Sequence, residues 1–384
     1  MRICYFGTYE QKYPLNSILI KGLRKNGVEV VECHEAVWEK YGNKTGSFLR
    51  PVSLLKLFIG ILVAYFKLIY KFFWNCKNID FYVVGYIGQV DMFLLKFLKF
   101  LKRDKKKIIF VPLFSIYDGA ILDRELFKKS SLFAKMLFFI DKYSMKSADM
   151  VFLDTNEHIE YVSELFGIDI KKFRRSFVGA DEDIFFPIEA EKDRQPSRQF
   201  TVLFFGKYIP LHGLEYIIEA AQLLRKEKDI KIKMVGSGQI YRQILELNER
   251  LKNENVEFIS WIEHEKLVDE IKNADVVLGI FGGTEKSLRV IPNKVFQAVA
   301  CRKPVITGDS LAIRELFTDG ENIVLCNNRD PVSLRDSIIG LYEDKYFASV
   351  IAGQGYCLFK EQLNIEKIGA HFLNVVLTLE RVGK

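Results

Sequence analysis

Clustered cysteine is missing from this chain: Cys4, Cys33, Cys76, Cys301, Cys326 and Cys357 are scattered with no CxxC pair. That argues against a zinc site and a disulfide framework and fits a reducing cytosol. Long apolar runs are short as well. In the most apolar region the longest uncharged stretch, Leu57–Phe66, is ten residues, against roughly 20 needed to span a bilayer, so no transmembrane helix is expected. The N-terminus, MRICYFGTYEQ, enters an expected strand without a basic leader or cleavage site, so no secretory signal is expected. No known nucleic-acid-binding motif is present, and nucleic acid is not an expected partner.

What is present points to a folded chain of two domains. There are 384 residues, 49% of them hydrophobic, enough for two cores of ordinary size. Strand-like and helix-like runs alternate from end to end, the pattern of parallel sheets covered on both faces. In the first half strands are expected near Arg2–Gly7, Val28–Cys33, Asp80–Gly85, Lys107–Leu113, Asp149–Leu153 and Phe173–Val178. In the second they are expected near Phe200–Phe205, Ile230–Gly236, Val256–Ile259, Val276–Ile280, Pro304–Thr307 and Ile323–Leu325. Between the halves, residues 187–198 (PIEAEKDRQPSR) are polar and bracketed by prolines, which marks a linker. A closing helix, Ile365–Arg381, carries apolar residues at helical spacing.

Charge is uneven. Residues 1–180 hold 29 Lys+Arg and 18 Asp+Glu, a net +11, while residues 181–384 hold 27 and 31, a net −4. The basic residues of the first half sit among aromatics, as in LLKLFIGILVAYFKLIYKFFW (54–74), FLLKFLKFLKRDKKK (93–107) and FKKSSLFAKMLFFIDKYSMK (127–146). Lys56, Lys67 and Lys71 fall on one helical stripe, which suits a helix lying on an anionic membrane leaflet. Core-packing helices with solvated lysines are the competing account.

The segment Ile291–Asn322, IPNKVFQAVACRKPVITGDSLAIRELFTDGEN, is the most informative. Pro292 suits the first position of a helix, and Asn293, Lys294 and Gln297 share one face of it. A helix N-terminus offers unpaired N–H groups and partial positive charge, and Lys294 adds a full one, so this site suits a phosphate or diphosphate.

Together with residues 201–227, TVLFFGKYIPLHGLEYIIEAAQLLRKE, this segment resembles retaining GT-B glycosyltransferases of family 4, the group 1 glycosyltransferases. The resemblance implies an α/β fold of the GT-B type: two Rossmann-like doubly wound domains facing a central cleft, the last helix crossing back to the first domain. It implies a first, acceptor-binding domain over 1–186 plus 360–384 and a second, donor-binding domain over 199–359. The family's two basic residues after the first strand of the second domain fall on Lys207, after Gly206, and His212, before Gly213. Relatives also approach the nucleotide with the place of Gly236 and Gly238, and Trp261, at the end of the strand after Val256, is a candidate to lie near the base. The family's paired glutamates fall on Arg289 and Gln297. Gln297 keeps an acceptor for the ribose diol without its charge. Arg289 cannot accept from a sugar hydroxyl, so either Glu285 or backbone N–H groups hold the donor sugar.

On the acceptor side, the loops after strands offer Thr8, then Tyr86, Gln89 and Asp91, then Ser115, Tyr117, Asp118, Asp123 and Arg124. Relatives have a sugar-contacting histidine near the last loop; here Asp118 or Ser115 stands in. Asp181-Glu182-Asp183 reads as a polar turn and not a metal site.

The resulting expectation is a hexosyltransferase that takes a nucleotide diphosphate sugar and delivers its sugar with retention to a hydroxyl of a glycan or lipid-linked acceptor. Lys207, His212 and Asp118 are the expected catalytic residues, Lys294 and the helix at Pro292 stabilise the leaving diphosphate, and no metal or other cofactor is needed. Uracil and guanine stay open. The expected setting is cytoplasmic, with peripheral contact at the inner membrane face. A non-catalytic nucleotide-sugar-binding or membrane-docked partner subunit is the alternative that Arg289 and Gln297 keep open.

Overall fold

The computed structural model describes residues 1–40, 51–187, 199–260 and 262–381. The expected linker therefore lies, from residue 188 on, outside the described residues, as does Trp261. The chain forms two compact units, Met1–Val178 with Ile365–Lys384, and Gly179–Asn364. Residues 179–187 and 360–364 go with the second unit, against the boundaries at 186 and 360 expected from sequence. There the Ala180 N–H donates to the Leu363 carbonyl at 3.1 Å.

The first unit alternates β1 (Arg2–Gly7), α1 (Pro14–Lys25), β2 (Glu29–His34), α2 (Pro51–Asn75), β3 (Phe81–Val84), α3 (Asp91–Lys102), β4 (Lys107–Phe110), α4 (Leu132–Ser147), β5 (Met150–Leu153), α5 (Asn156–Phe166) and β6 (Phe173–Arg175). Its sheet runs β2-β1-β3-β4-β5-β6, all neighbours parallel. β3 (FYVV) and β5 (MVFL) are buried at every residue, which is why these runs are continuously apolar and do not alternate.

In the second unit follow β7 (Phe200–Phe205), α6 (Leu214–Leu223), β8 (Ile230–Val235), α7 (Tyr241–Leu251), β9 (Val256–Ile259), α8 (His264–Asn273), β10 (Val276–Leu278), α9 (Glu285–Arg289) and α10 (Asn293–Ala300). β11 (Val305–Gly308), α11 (Leu311–Arg314), β12 (Val324–Cys326), α12 (Pro331–Glu343) and α13 (Lys345–Leu358) complete it. This sheet runs β12-β11-β10-β7-β8-β9, also parallel. The chain winds outward from β7 to β9 and then restarts on the other side of β7 with β10. The gap between the loops that leave β7 and β10 is thus the topological switch point, where open α/β sheets bind ligands.

The last helix, α14 (Ile365–Arg381), belongs to the first unit and packs on α1. Gly22 and Gly369 make this possible, because a Cβ on Gly22 would lie 2.9 Å from the Gly369 Cα. Asn26 Nδ2 donates to the Glu366 carbonyl at 2.9 Å, and the Phe152 and Phe372 rings meet at 4.5 Å.

Helix α2 departs from expectation. Its Lys56–Asn75 stretch is 20 residues long with mean hydropathy 1.7, long and apolar enough by length and composition to cross a membrane. Lys67 and Lys71 interrupt it without lowering that average enough. Yet Leu68 and Phe72 are fully buried in the core of the first unit, so the helix lies on the sheet. Lys71 does not face out with Lys56: its Nζ sits 2.7 Å from Glu35 Oε1 and donates to the His34 carbonyl at 2.7 Å.

Candidate functional site

A cluster of polar side chains lies at the switch point of the second sheet. Gly206 (φ +139°) directly follows β7 and Gly236 (φ +136°) directly follows β8, in backbone conformations that favour glycine. The two loops run side by side: Gly206 N–H donates to the Val235 carbonyl at 2.9 Å and Tyr208 N–H to the Ser237 carbonyl at 3.0 Å. A Cβ on Gly236 would strike the Gly206 carbonyl oxygen, and one on Gly238 would come within 2.6 Å of the Tyr208 backbone. These glycines let backbone approach backbone, and Gly238 is itself exposed.

After Gly206 the chain turns through exposed Lys207 into a short 3-10 turn, Pro210–His212. His212 is buried, with Nδ1 2.6 Å from the Lys207 carbonyl oxygen. A carbonyl only accepts, so Nδ1 carries the hydrogen and Nε2 is left for another partner. The His212 carbonyl in turn accepts from Phe281 N–H at 3.0 Å, tying this turn to the loop after β10.

Lys294 reaches the same point from α10. It is 6% exposed, its Nζ has no hydrogen-bond partner among the described residues, and it stands 3.7 Å from the centroid of the Phe204 ring. His212 packs edge-on against that ring at 5.7 Å. A Cβ built on Gly206 would meet Lys294 Nζ at 3.2 Å and His212 Cε1 at 3.7 Å, so ammonium and imidazole converge over a glycine that has no side chain to fill the space. Burial holds the Lys294 ammonium well below the usual lysine range. Burial, with the Lys294 charge second, holds the His212 imidazole well below its ordinary value, and the bond to the Lys207 carbonyl only partly opposes this. An unpaired buried cation is costly unless an anion compensates it. The cation–π contact with Phe204 offsets part of that cost and aims the ammonium.

The remaining donor-side residues surround this centre. Pro292 is the cap of α10 and not its first helical residue, so the helix starts at Asn293. Asn293 and Gln297 are half-buried. Arg289, on α9, is buried and Glu285, at the start of α9, is exposed. Thr284 caps that helix by accepting from Ser287 N–H at 3.2 Å.

In the first unit the expected acceptor residues collect at the carboxyl ends of β1, β3 and β4, and most are engaged inside the fold. Asp91 Oδ2 accepts from Thr8 N–H at 2.7 Å, and the Thr8 hydroxyl bonds the same carboxylate at 3.1 Å. Gln89 Nε2 donates to the Phe114 carbonyl at 3.1 Å, and the Tyr86 and Phe114 rings meet at 5.2 Å. The Ser115 hydroxyl donates to Asp141 Oδ2 at 2.8 Å and accepts from Asp118 N–H at 2.9 Å, while Tyr161 OH donates to Asp118 Oδ1 at 3.1 Å. Burial pushes the carboxyls of Asp91 and Asp141 up to about 6. Asp181 closes a local turn by accepting from Asp183 N–H at 3.0 Å.

Several of these partners went unnoticed in the sequence. Asp141 had a signal, a lone carboxylate in the apolar run LFFIDKY. His158 and Asp154, buried and 2.7 Å apart at the end of β5, had one too, the four-residue spacing at the start of a helix. Phe204 had none, being one more apolar residue of a buried strand.

Residues 199–344 match the family model described as Glycosyl transferases group 1, and an uncharacterized glycosyltransferase of Methanocaldococcus jannaschii is 25% identical over 318 residues, 78% of this chain and 75% of that one. The chain carries a group 1 glycosyltransferase domain. Its fold is that of other glycosyltransferases in solved structures. Sucrose-phosphate synthase from Thermosynechococcus elongatus aligns over 100% of both chains with a TM-score of 0.70 at 15% identity. Anabaena HepE, solved in complex with UDP, aligns over 98% of this chain and 99% of its own with a TM-score of 0.67 at 14% identity. The matched family segment holds the whole constellation of Gly206, His212, Phe204 and Lys294.

Proposed function

We propose that the chain as a whole acts as a group 1 glycosyltransferase and binds a nucleoside diphosphate sugar at the switch point of its second unit. It then moves the hexose, with retention and without a metal, to a hydroxyl of a glycan or lipid-linked acceptor in polysaccharide or glycolipid assembly at the cytoplasmic face of a membrane. The observation that carries this is the buried Lys294 ammonium, unpartnered and facing His212 over Gly206. UDP is the favoured nucleotide, since HepE was solved with UDP and with UDP-glucose.

As the glycosidic C–O bond to the β-phosphate breaks, negative charge grows on the departing diphosphate. Lys294, the Nε2–H of a protonated His212 and the N–H groups opening α10 supply positive charge at that place, and exposed Lys207 adds to it. Groups already fixed in position stabilise the transition state without reorganising. The acceptor hydroxyl loses its proton as the new C–O bond forms, and a phosphate oxygen of the leaving group takes it.

The test is turnover. Purified full-length chain incubated with UDP- and GDP-sugars in EDTA is expected to release nucleotide slowly from one UDP-sugar and faster with an acceptor extract, and the product anomer is read by NMR. Inverted product, or turnover abolished by EDTA and restored by a divalent ion, refutes the corresponding part of the proposal. No turnover, with UDP shifting the melting temperature, favours the partner-subunit alternative.

A further inference from the structure

The outward side of α2, α3 and α4 has no role in donor binding, yet it is the most apolar exposed surface in the described chain. These helices lie on one face of the first sheet. Their inward residues Leu68, Phe72, Leu95, Leu98 and Met145 share a single core with Phe6, Tyr82, Val84 and Phe110. Neighbouring helices touch: Lys102 Nζ of α3 donates to the Cys76 carbonyl just past α2 at 2.8 Å, and Phe93 of α3 stacks on Tyr143 of α4 at 4.2 Å.

The opposite side is bare. Phe66, Phe100 and Leu132 are 73%, 78% and 84% exposed, one on or beside each helix's outer ridge. On α2 the exposed residues Ile59, Val63, Phe66, Tyr70 and Trp74 recur every three or four positions, a stripe opposite buried Leu68 and Phe72. Scattered exposed apolar residues are ordinary, but a contiguous patch across three helices marks an interaction surface.

Charge identifies the occupant. Exposed Lys56, Lys96, Lys102 and Lys135 border the patch, and residues 51–79, 92–103 and 126–140 contain no Asp or Glu. A second copy docked here would set lysines against lysines. A nucleic acid would stack on aromatics but would leave Ile59, Val63 and Leu132 unused. An anionic leaflet takes both parts: lysines at the headgroups and aromatic and aliphatic side chains at the acyl boundary.

We propose that the outward side of α2, α3 and α4 is a membrane-docking surface that seats this protein on an anionic phospholipid leaflet. Helix α2 lies along that leaflet, held down by Leu68 and Phe72 in the core and by Lys71 at Glu35. The surface is independent of the donor site, so either can fail alone.

The full-length chain is mixed with phosphatidylcholine vesicles containing a quarter phosphatidylglycerol, or with phosphatidylcholine alone, and floated at low and high salt. Binding is expected on the anionic vesicles, weakened by salt. A variant carrying Phe66→Ser, Phe100→Ser and Phe139→Ser, all exposed positions, is expected to bind UDP like the parent. Its vesicle partition falls by roughly tenfold per substitution. Lys96→Glu with Lys135→Glu lowers partition about fivefold for each cation removed. Absence from anionic vesicles at low salt overturns the proposal, as does partition untouched by the serine variant. A solution dimer that the serine variant converts to monomer, without vesicle binding, assigns the face to a second copy and also overturns it.

Discussion

Replacing Lys294 by methionine should move stability and ligand binding in opposite directions. Methionine keeps the length and most of the volume of the lysine stem, so the packing against Phe204 and α10 survives. What disappears is an ammonium that is 6% exposed, has no hydrogen-bond partner and is held well below the usual lysine range by burial. Leaving a buried polar group unsatisfied costs about 1–3 kcal/mol, and the Phe204 contact returns about 1 kcal/mol of it. The net gain for the ligand-free variant is therefore roughly 0–2 kcal/mol, about 1 kcal/mol at the centre of the range. At about 2–4 °C per kcal/mol for a unit of this size, the melting transition rises by several degrees. Binding moves the other way. Truncating one partner of a buried, hydrogen-bonded charge pair costs about 2–5 kcal/mol, so UDP affinity falls by a factor of roughly 30 or more. Differential scanning fluorimetry without ligand and titration calorimetry with UDP read the two effects. A variant that melts lower than the parent, or binds UDP within threefold of it, refutes the assignment of Lys294 as an anion receptor.

Binding should also weaken as pH rises. Burial holds both His212 and Lys294 below their ordinary values, so part of their charge is absent without ligand, and the diphosphate raises both. Proton uptake on binding means affinity is greatest at low pH and is lost as pH climbs through the bound-form values. UDP titrations between pH 6.5 and 9 should show this, with a shallower slope in Lys294→Met; a flat parent profile contradicts it. Asp91 has its carboxyl raised from 3.8 to about 6 by burial, so its contribution to stability is present below the unfolded value and lost as pH rises through about 6. Asp91→Asn, which keeps an acceptor for Thr8 N–H, should therefore gain on the parent between pH 4 and 7, up to roughly 3 kcal/mol. Urea unfolding followed by Trp38, whose Nε1 donates to the Thr8 hydroxyl at 3.2 Å, tests that difference, and a pH-independent gap rules it out. Gly236→Ala places a Cβ on the Gly206 carbonyl at φ +136° and should cost at least about 1–3 kcal/mol together with UDP binding. Gly340→Ala, in α12 with nothing within 4 Å, should stabilise by up to about 1 kcal/mol. Equal melting shifts in these two variants would show that the crowding at Gly236 has no consequence.

How much of this was legible in the sequence depended on the range of the forces involved. The strands β7 and β9 fall where apolar runs put them, because burial of a whole strand is written in the strand itself. β10 stops at Leu278, two residues before the expected Ile280. Gly279 N–H still donates to the Ile306 carbonyl at 2.8 Å, but Ile280 N–H turns to the Thr307 hydroxyl at 3.1 Å. A side chain from another strand replaces the ladder, and no local pattern announces that. The stripe of Lys56, Lys67 and Lys71 failed in part for the same reason: helical period put them together, but Glu35, beyond the end of β2, draws Lys71 inward.

The candidate site shows the same boundary from the other side. Helical spacing sets Lys294 beside Asn293 and Gln297, and on an isolated helix such a stripe would face water. The sheet order places β10 next to β7, so the helix that follows β10 lies over the end of β7, where Phe204 and Gly206 wait. Residues some ninety positions apart thereby turn a surface lysine into a buried one. The conversion costs the ligand-free fold stability, and among the described residues no carboxylate is placed to relieve it at Lys294 Nζ. An unsatisfied ammonium at the place where the sheet's topology opens a crevice is the feature that the proposed diphosphate would complete. The same two facts, topology and an unpaired cation, make the stability gain and the binding loss of Lys294→Met a single inseparable prediction.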